Sequence, residues 1–358
     1  MPNVWLIDAY RAGERGQVRA LVEALGWPYE LKRLQYRKYD PITHLLPTGS
    51  LRGITPRSRF LLAPPWPDLV VTSGVRNEPV CRWIREQSGG RSRYVHVGKP
   101  WADPSRFDLI VTTPQYRVPK RDNVVLNELT LHRVNRDRLA EAAGGWAARW
   151  RHLPRPLIAV MVGGNSGPFT LGPRSALRLG QALNELARKT GGGLLLTTSA
   201  RTPSKAADVL RQTLTVPRFF HTWSAADDAN PYLAMLGLAD RFVVTADSIA
   251  MLSEACAVGK RVDMFDLGGM REGFDARRDF RVGGLLYEAL MRWGWEPLTR
   301  DITLVHRQLV ASGRAAWLGD HPLPRLEQAS TDMSRATDAI QRLIEQARTP
   351  AGPADCSV

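Results

Sequence analysis

The stretch that decides the fold is LIAVMVGGNSG at residues 157–167, in which a short apolar run leads directly into a glycine-rich turn. An apolar run of this length is typical of a strand that is buried on both faces of a parallel sheet. The segment 174–190 that follows has the apolar spacing of a helix and ends at a run of three glycines, 191–193. Strand, turn and helix in this order predict one unit of an α/β sheet.

The same alternation extends from this stretch in both directions along the chain. We predict strands at 4–7, 68–72, 94–97, 107–112, 157–162, 194–198, 218–221, 241–245 and 261–265. We predict helices at 17–26, 78–87, 136–152, 174–190, 204–213, 232–239 and 248–258, with Gly26 as a C-terminal cap. The segments 8–16 and 33–67 are expected to be loops, the second with short elements. Short apolar strands that alternate with helices predict two doubly wound, Rossmann-like α/β domains.

A proline-rich segment, Pro154-Arg155-Pro156, separates the two series of strands and is expected to be the linker. The predicted domains are residues 1–153, residues 154–330, and a C-terminal segment 331–358. This segment is expected to be a helix that packs back on the first domain, followed by a disordered tail. Ligands of such sheets bind where the loops gather at the carboxyl ends of the strands, so two domains that face each other predict a cleft.

Composition narrows the class of protein. The 358 residues carry a formal net charge of +14, with 44% hydrophobic and 23% charged residues, which is a globular composition. The positive charge favours anionic partners, although arginine-rich codon usage explains it equally well. There is no compact Lys/Arg block and no nucleic-acid-binding signature, so we expect no nucleic-acid partner.

Targeting features are also missing from the sequence. No apolar run reaches the length of a membrane span, and Asp8 interrupts the first apolar run, which therefore predicts a strand and not a signal peptide. Cys81, Cys256 and Cys356 are far apart and match no metal-binding spacing. We therefore expect a protein without disulfides in a reducing, cytoplasmic compartment.

Two loops at strand ends have the residue types that hold phosphate. Backbone N–H groups of the glycine-rich turn 163–167 can approach phosphate oxygens, with help from the N-terminus of the next helix, although a purely structural turn is equally expected. The segment 198–202 supplies hydroxyl groups and the guanidinium of Arg201, which can pair two phosphate oxygens. The alternative for Ser199 and Thr202 is that they cap the following helix.

The segment 245–255, TADSIAMLSEA, is the most informative of the chain. It ends a strand and begins a helix, and either Asp247 or Ser248 is suited to cap that helix. Glu254 is unusual because it is a carboxylate in a helix of apolar and small residues. A buried carboxylate needs hydrogen-bond donors, and two ribose hydroxyls would supply them.

These motifs together resemble a known family. The turn GGNSG, TTSARTP at 197–203 and NPYLAMLGLADRFVVTADSIAMLSEACAVGK at 230–260 are similar to the C-terminal half of the mitochondrial-fission ELM1-like family, whose members resemble GT-B glycosyltransferases. The resemblance continues through AGERGQ at 12–17, PDLVVTSG at 67–74, FDLIVTTP at 107–114 and NVVLNELTLHRV at 123–134, and it covers residues 4 to about 345.

The resemblance implies a GT-B fold with a nucleotide-sugar site in the second domain. Glu254 would bind the donor ribose, the two phosphate loops would face the diphosphate, residues 247–251 would face the sugar or phosphate, and residues 219–223 would lie near the base. The implied donor-binding residues are Gly163, Gly164, Asn165, Ser166, Thr198, Ser199, Arg201, Thr202, Thr245, Asp247, Ser248, Met251 and Glu254. No DxD motif stands at a strand end, so we expect neither a metal nor a cofactor, and the nucleotide sugar is the substrate.

The first domain would bind the acceptor. Gly13, Gln17, Ser73 and Gly74 are the implied acceptor-side residues. Relatives commonly carry a histidine in the loop where this chain has Gly13-Glu14-Arg15-Gly16-Gln17, so the catalytic base would be Asp8 or Glu14, with His96 as a distant alternative. A carboxylate is most effective as a base when its pKa is raised toward the working pH.

The implied activity is transfer of a sugar to a cell-envelope glycan or lipopolysaccharide-type glycolipid, in the cytoplasm or at the inner face of the cytoplasmic membrane. Basic residues interleaved with aromatic and apolar ones between 33 and 59 would dock an anionic lipid surface, and a solvated loop is the alternative: Arg33, Arg37, Lys38, Arg52, Arg57 and Arg59. Two other functions stay open. The plant relatives are linked to recruiting a dynamin-like protein to mitochondria, which implies a non-catalytic adaptor, and a sugar-nucleotide epimerase would use the same architecture.

Overall fold

The computed structural model describes residues 1–37, 48–226, 229–271, 278–294, 299–321 and 331–348. The chain divides into two units, Met1–Arg133 with Ser330–Val358, and Val134–Ala329. Each unit is built on one parallel six-stranded sheet, so the prediction of two doubly wound α/β domains is confirmed.

The first unit has its strands in the order β2-β1-β3-β4-β5-β6. The strands are β1 (Val4–Ile7), β2 (Tyr29–Lys32), β3 (Leu69–Ser73), β4 (Arg93–Val97), β5 (Leu109–Thr112) and β6 (Val124–Leu126). Its helices in the described ranges are α1 (Ala12–Leu25), α2 (Pro56–Arg59), α3 (Glu78–Gln87) and, from the C-terminal part of the sequence, α11 (Asp332–Arg348).

The strand β1 shows why this sheet is buried on both faces. Its side chains alternate between the faces of the sheet, as in any strand. Val4 and Leu6 pack in a core with α1 and α11, whereas Trp5 and Ile7 pack in a second core with α3. A run without polar residues is what two covered faces require.

The helix α11 completes the core of the first unit. Its residues Ala336, Ile340 and Ile344 are buried in the same core as α1. At its start, the Asp332 carboxylate accepts hydrogen bonds from the backbone N–H groups of Glu128 (2.9 Å) and Leu129 (3.0 Å). The predicted C-terminal helix therefore belongs to the first unit, and the predicted tail at 349–358 lies outside the described residues.

The first helix begins earlier than the sequence indicates. It starts at Ala12 and not at residue 17, so Gly13 and Gly16 lie inside α1 and not in a loop. Glycine disfavours a helix by only about 1 kcal/mol per residue, which the packing of α1 on the sheet outweighs. Gly26 ends the helix in the left-handed conformation, with φ of 66°, as predicted.

The second unit has its strands in the order β12-β11-β10-β7-β8-β9. The strands are β7 (Leu157–Met161), β8 (Gly193–Thr197), β9 (Arg218–His221), β10 (Arg241–Thr245), β11 (Arg261–Phe265) and β12 (Ala316–Trp317). The helices are α4 (Arg136–Trp146), α5 (Pro173–Thr190), α6 (Ser204–Thr213), α7 (Tyr232–Leu238), α8 (Ile249–Ala257), α9 (Val282–Trp293) and α10 (Thr303–Ala311).

The boundary between the units precedes α4 and does not fall at the proline-rich segment. The helices α4 and α7 approach so closely that a Cβ atom on Gly237 would stand 2.8 Å from the carbonyl oxygen of Leu139. Pro154 and Arg155 are anchored within the second unit, by Gly193 N–H (2.8 Å) and by the Asp240 carboxylate (2.8 Å). The segment 154–156 therefore introduces β7 and is not a linker.

Each sheet has one point where the strand order reverses. It lies between β1 and β3 in the first unit, and between β7 and β10 in the second. The loops on either side of such a point leave toward opposite faces of the sheet, which opens a crevice at the carboxyl ends of the strands. The predicted phosphate loop after β7 and the segment after β10 flank this point in the second unit.

Membrane spans and cysteine pairing can be stated for the described residues. Within these ranges, no helix is both long enough and apolar enough to cross a bilayer. Cys81 and Cys256 are buried and unbridged, and Cys356 lies outside the described part of the chain.

Candidate functional site

The glycine-rich loop after β7 and the turn after β10 are joined by hydrogen bonds. The N–H of Gly163 donates to Thr245 Oγ1 (2.7 Å), and the N–H of Gly164 donates to Asp247 Oδ2 (2.9 Å). A Cβ atom on Gly163 would stand 2.4 Å from the Asp247 carboxylate, and one on Gly164 would stand 2.0 Å from the carbonyl oxygen of Arg201. The two glycines are therefore required by close packing within the site, and Gly167 alone in this loop has a positive φ (57°).

Asp247 lies at the centre of this arrangement. Its side chain is fully buried and pairs with the Arg201 guanidinium at 3.1 Å. Burial raises the pKa of the Asp247 carboxyl, and the Arg201 charge and the Gly164 N–H oppose that rise. Asp247 does not cap α8: the N-cap residue is Ser248, which is buried and makes no side-chain capping bond.

The hydroxyl groups after β8 hold the glycine-rich loop from the other side. Ser199 Oγ donates to the carbonyl oxygen of Gly163 (2.8 Å), and Thr202 Oγ1 donates to the same oxygen and to that of Val162 (3.1 Å). Thr198 Oγ1 accepts from the N–H of Trp223 (2.9 Å). Pro203 is the N-cap residue of α6, so neither Ser199 nor Thr202 caps that helix. Their hydroxyl groups bond to the backbone of the glycine-rich loop, whereas the resemblance implied that they would face a diphosphate.

Three arginines converge on the glycine-rich loop. Arg201 Nη1 donates to the carbonyl oxygen of Asn165 (3.2 Å), Arg281 Nη2 donates to that of Gly167 (2.8 Å), and Arg300 donates to Ser166 Oγ. Asn165 Oδ1 accepts from the N–H of Leu171 (3.0 Å). The sequence drew attention to Arg201 alone, because Arg281 and Arg300 lie in no motif and the chain has 49 Lys and Arg residues.

The N-terminus of α8 is open at the same edge of the sheet. Within the described residues, the N–H groups of Ile249, Ala250 and Met251 have no hydrogen-bond acceptor. These groups carry the positive end of the helix dipole, which favours an anion. His306 fixes the approach to this turn, since its Nε2 lies 2.6 Å from the carbonyl oxygen of Ala246; burial lowers the His306 pKa to about 4, so the ring is neutral.

The N-terminus of α5 is already occupied, contrary to the expectation that it would help to hold phosphate. The Asp279 carboxylate accepts hydrogen bonds from the N–H groups of Gly172 (3.1 Å), Arg174 (3.3 Å) and Ser175 (2.7 Å). This contact ties the segment that carries Arg281 to the start of α5. The structure therefore leaves α8, and not α5, as the helix whose N-terminus is available to an anion.

Glu254 is a half-buried carboxylate on the second turn of α8. Burial raises its pKa, and the hydroxyl of Tyr232, which donates to its Oε2, opposes that rise. Tyr232, at the start of α7, is the only donor to this carboxylate in the described part of the chain. The sequence predicted that Glu254 would need donors, and it missed Tyr232.

The region predicted to lie near a base contains one available ring. Phe219 packs on Trp146 and Trp150, with ring centroids 5.6 and 5.4 Å apart. Trp223, which follows β9, is 39% exposed. Its N–H bond to Thr198 holds it beside the loop that carries Ser199.

In the first unit, Asp8 and Glu14 lie in different surroundings. The Asp8 carboxylate has three guanidinium groups nearby, those of Arg15 (3.4 Å), Arg19 (3.3 Å) and Arg33 (4.0 Å). These ion pairs make Asp8 a structural anchor for the three arginines. Glu14, in the first turn of α1, pairs at 3.6 Å with Arg11, which is largely exposed.

The structure brings some of the residues predicted to bind the acceptor close together: Gly74 lies beside the first turn of α1, which contains Gly13. A Cβ atom on Gly74, whose φ is 91°, would lie 3.1 Å from Glu14 Oε2, so Gly74 and Glu14 are neighbours. Ser73 is the buried last residue of β3, and its carbonyl oxygen accepts from Asn77 Nδ2 (3.1 Å). Gln17 lies one turn further along α1 than Gly13, to whose carbonyl oxygen its amide donates (3.4 Å).

His96, the distant alternative for the base, lies within the first unit on β4. His96 is fully buried and bonded to Tyr94 and to the Lys99 carbonyl, and burial lowers its pKa to about 4, so it serves the fold. In the ranges that the structure describes, no group of three or more His, Cys, Asp or Glu side chains is placed to hold a metal ion.

Comparisons with known proteins place the chain in a family. A family model described as mitochondrial fission ELM1 matches residues 12–280. The mitochondrial fission protein ELM1 of Arabidopsis thaliana is 29% identical over 298 residues, which are 74% of this chain and 69% of that protein. An uncharacterized protein of Rickettsia prowazekii (strain Madrid E) is 21% identical over 301 residues, 74% of this chain and 83% of that protein. The chain belongs to the mitochondrial fission ELM1 family, as the sequence motifs predicted.

A solved structure shares the fold. The crystal structure of a glycosyltransferase from Rickettsia africae ESF-5 matches 98% of this chain and 99% of its own, at 10% identity and a TM-score of 0.50. The two parallel sheets and this likeness confirm the predicted GT-B type of fold.

The close packing of the glycine-rich loop yields a prediction for stability. We expect Gly164→Ala to lower the free energy of unfolding by about 1–3 kcal/mol, because the new Cβ overlaps the Arg201 carbonyl. Chemical denaturation measures the change. Gly16→Ala is the matched control: it is helical with open space around it, so it should stabilise the protein by about 0.5–1 kcal/mol. Equal effects of the two substitutions would contradict this account of the loop.

Proposed function

We propose that this member of the family is a metal-independent glycosyltransferase, whose second unit binds a nucleoside diphosphate sugar and whose acceptor is a cell-envelope glycan or glycolipid. The observation that carries the proposal is the convergence of Arg201, Arg281 and Arg300 on the glycine-rich loop, beside the open N-terminus of α8. Guanidinium groups pair two phosphate oxygens at once, which suits a diphosphate.

The charges around the loop favour an anionic ligand. The buried carboxylate of Asp247 pairs with the Arg201 guanidinium. The Arg201 side chain is itself 42% exposed, so a ligand can still reach it. The bonds of Arg281 and Arg300 go to a carbonyl and a hydroxyl oxygen, which neutralise no charge. A diphosphate would supply the missing negative charge, and the same groups would stabilise the leaving nucleoside diphosphate without a metal.

Glu254 is proposed to bind the ribose. It lies five residues beyond Ile249, so it stands about 7.5 Å along α8 from the proposed phosphate position. Its carboxylate has one donor, Tyr232, and two ribose hydroxyls are suitable further donors. The exposed ring of Trp223 is proposed to stack on the base.

In the first unit, Glu14 is the better candidate for the catalytic base. The Asp8 carboxylate is already engaged in ion pairs with three guanidinium groups, those of Arg15, Arg19 and Arg33. Glu14 is partly exposed beside Gly74, where an acceptor hydroxyl could approach. We therefore assign deprotonation of the acceptor to Glu14 and a structural role to Asp8.

A contact with an anionic membrane is proposed for the corner of the first unit at residues 57–61. Phe60 is 84% exposed there, Leu61 is also exposed, and Arg57 and Arg59 have no ion-pair partner among the described residues. The helix α9 also exposes apolar side chains, including Trp293, but its Arg292 pairs with Glu288 at 3.1 Å. The unneutralised charge favours the 57–61 corner. Of the basic segment predicted from sequence, Lys38 lies outside the described residues.

The alternative function is a non-catalytic adaptor, which the name of the Arabidopsis relative favours. An adaptor needs a protein-binding surface and has no requirement for a nucleotide site. Nucleotide binding therefore discriminates between the two functions. An epimerase would bind the same nucleotide but would convert the sugar nucleotide without an acceptor.

Nucleotide binding is the central test. We expect one of UDP, GDP, CMP and ADP to bind in calorimetric titrations, and Glu254→Ala and Arg300→Gln each to weaken it about ten-fold or more, roughly 1.4 kcal/mol. The controls Glu185→Ala and Arg307→Gln change exposed residues of α5 and α10 and should leave the affinity unchanged. Failure of all four nucleotides to bind would exclude the proposed donor site and leave the adaptor.

The raised pKa of Glu254 predicts a dependence on pH. Protonation removes acceptor capacity for the ribose, so affinity should fall on acidification, starting above the pH at which an ordinary glutamate titrates. Nucleotide affinity is measured from about pH 8 to about pH 5 for wild type and for Glu254→Gln. Protonation of the nucleotide phosphate affects both proteins equally, so a difference between their pH profiles reports on Glu254. Identical pH profiles would show that Glu254 does not contact the nucleotide.

Membrane binding is tested with vesicles. Wild type should bind phosphatidylglycerol-containing vesicles, and Arg57→Gln with Arg59→Gln should weaken binding roughly 30-fold, at about 1 kcal/mol per charge. Added salt should weaken it further, and vesicles of phosphatidylcholine alone should not bind. Leu286→Ser, on α9, is the control, and a larger loss from it than from the arginine pair would move the contact to α9.

A further inference from the structure

The first unit contains a small pocket at the carboxyl ends of β4, β5 and β6 that the donor site does not use. Its polar lining comes from Gln17 of α1, from Thr112 at the end of β5 with Thr113 and Tyr116 after it, and from Asn127 and Thr130 after β6. Gly98, with φ of 97°, turns the chain at the end of β4 and forms another part of the wall.

Asn127 is the unusual residue of this pocket. It is 1% exposed, and neither its Nδ2 nor its Oδ1 has a hydrogen-bond partner among the described residues. The hydroxyl of Thr112, which also lines the pocket, is equally buried and without a partner in the same ranges. Buried polar groups are nearly always paired, because leaving them unpaired costs free energy. Two such residues on one pocket wall indicate that a ligand or water completes their bonding.

The backbone around Asn127 is held from both sides. Its own N–H donates to the carbonyl oxygen of Thr112 (2.8 Å), which joins it to the end of β5. The next two N–H groups donate to the Asp332 carboxylate at the start of α11. The backbone that carries the Asn127 side chain is therefore fixed before a ligand arrives, and Asp332 is a positioning residue for it.

The chemistry of the wall selects the ligand. None of the lining residues carries a charge at neutral pH, although the chain as a whole is strongly basic. A phosphate or carboxylate buried here would lack a counter-charge. A carboxamide both donates and accepts, and a hydroxyl group does the same, so the complementary ligand group is a neutral hydroxyl or amide.

We propose that this pocket binds an uncharged hydroxyl group of the acceptor sugar, with Asn127 and Thr112 as its hydrogen-bonding partners. The proposal rests on the proposed function and narrows it. It assigns a neutral carbohydrate, and not the phosphate of a lipid carrier, to this part of the first unit.

Saturation-transfer NMR on the full-length protein tests the pocket. The probes are N-acetylglucosamine, methyl β-glucoside and, as the anionic comparison, glycerol 3-phosphate. A neutral sugar should bind wild type, and Asn127→Ala and the nearly isosteric Thr112→Val should each weaken it about five-fold or more. Asn127→Asp should also weaken sugar binding, because a carboxylate lacks the N–H donors of the amide. Thr215→Val, which changes an exposed threonine of the second unit outside both proposed sites, is the control and should leave sugar binding unchanged.

The donor nucleotide separates failure of the pocket from failure of the proposed function. Unchanged nucleotide affinity in the Asn127 and Thr112 variants shows that they are folded and that their donor site is intact. If wild type binds a nucleotide but no sugar, or binds sugars equally with and without Asn127, the pocket holds an ordered water only and the proposal is overturned. Asn127-dependent binding of glycerol 3-phosphate would overturn the assignment to a neutral ligand. If no nucleotide binds, the donor site fails, and the sugar titrations still decide the pocket.

Discussion

The candidate site of the second unit depends on one interaction, the burial of the Asp247 carboxylate against the N–H of Gly164 and the guanidinium of Arg201. A buried carboxylate without partners would be strongly unfavourable, so each partner is constrained to its place. The loops after β7, β8 and β10 are thereby joined at one point. Gly163 and Gly164 follow from the same constraint, because any side chain at those positions would overlap the carboxylate or the Arg201 backbone.

The distribution of arginines distinguishes structural from functional charge. Elsewhere a carboxylate pairs directly with two arginines, as Asp263 does with Arg241 and Arg261, and Asp108 with Arg85 and Arg93. The arrangement around the glycine-rich loop differs, since Asp247 pairs directly with Arg201, whereas Arg281 and Arg300 bond to a carbonyl and a hydroxyl oxygen and have no carboxylate partner among the described residues. The net charge alone could not show this difference, because it depends on which oxygen atoms surround each guanidinium.

The sequence predicted the regular parts of the fold well and the irregular parts poorly. Buried strands such as 241–245 and helices such as 204–213 were placed at their observed bounds, because their apolar patterns are continuous. The strands β2, β6 and β12 were missed, since they are short strands toward or at the sheet edges with mixed composition. The start of α1 was hidden by two glycines that only tertiary packing makes tolerable. Within the site, Glu254 and the Asp247 turn were found from motifs, whereas Tyr232, Arg281, Arg300 and Asn127 depend on contacts between distant segments that no local pattern records.

The position of α11 has a consequence for the order in which the chain folds. The core of the first unit includes side chains from α1, near the start of the sequence, and from α11, after the whole of the second unit. During synthesis the second unit has all its described strands before α11 exists, so it can fold first, while one apolar face of the first sheet is covered by α1 but not yet by α11. Contacts of such long sequence separation form slowly. We therefore expect the incomplete first unit to be the aggregation-prone state during synthesis, and the state on which a chaperone would act.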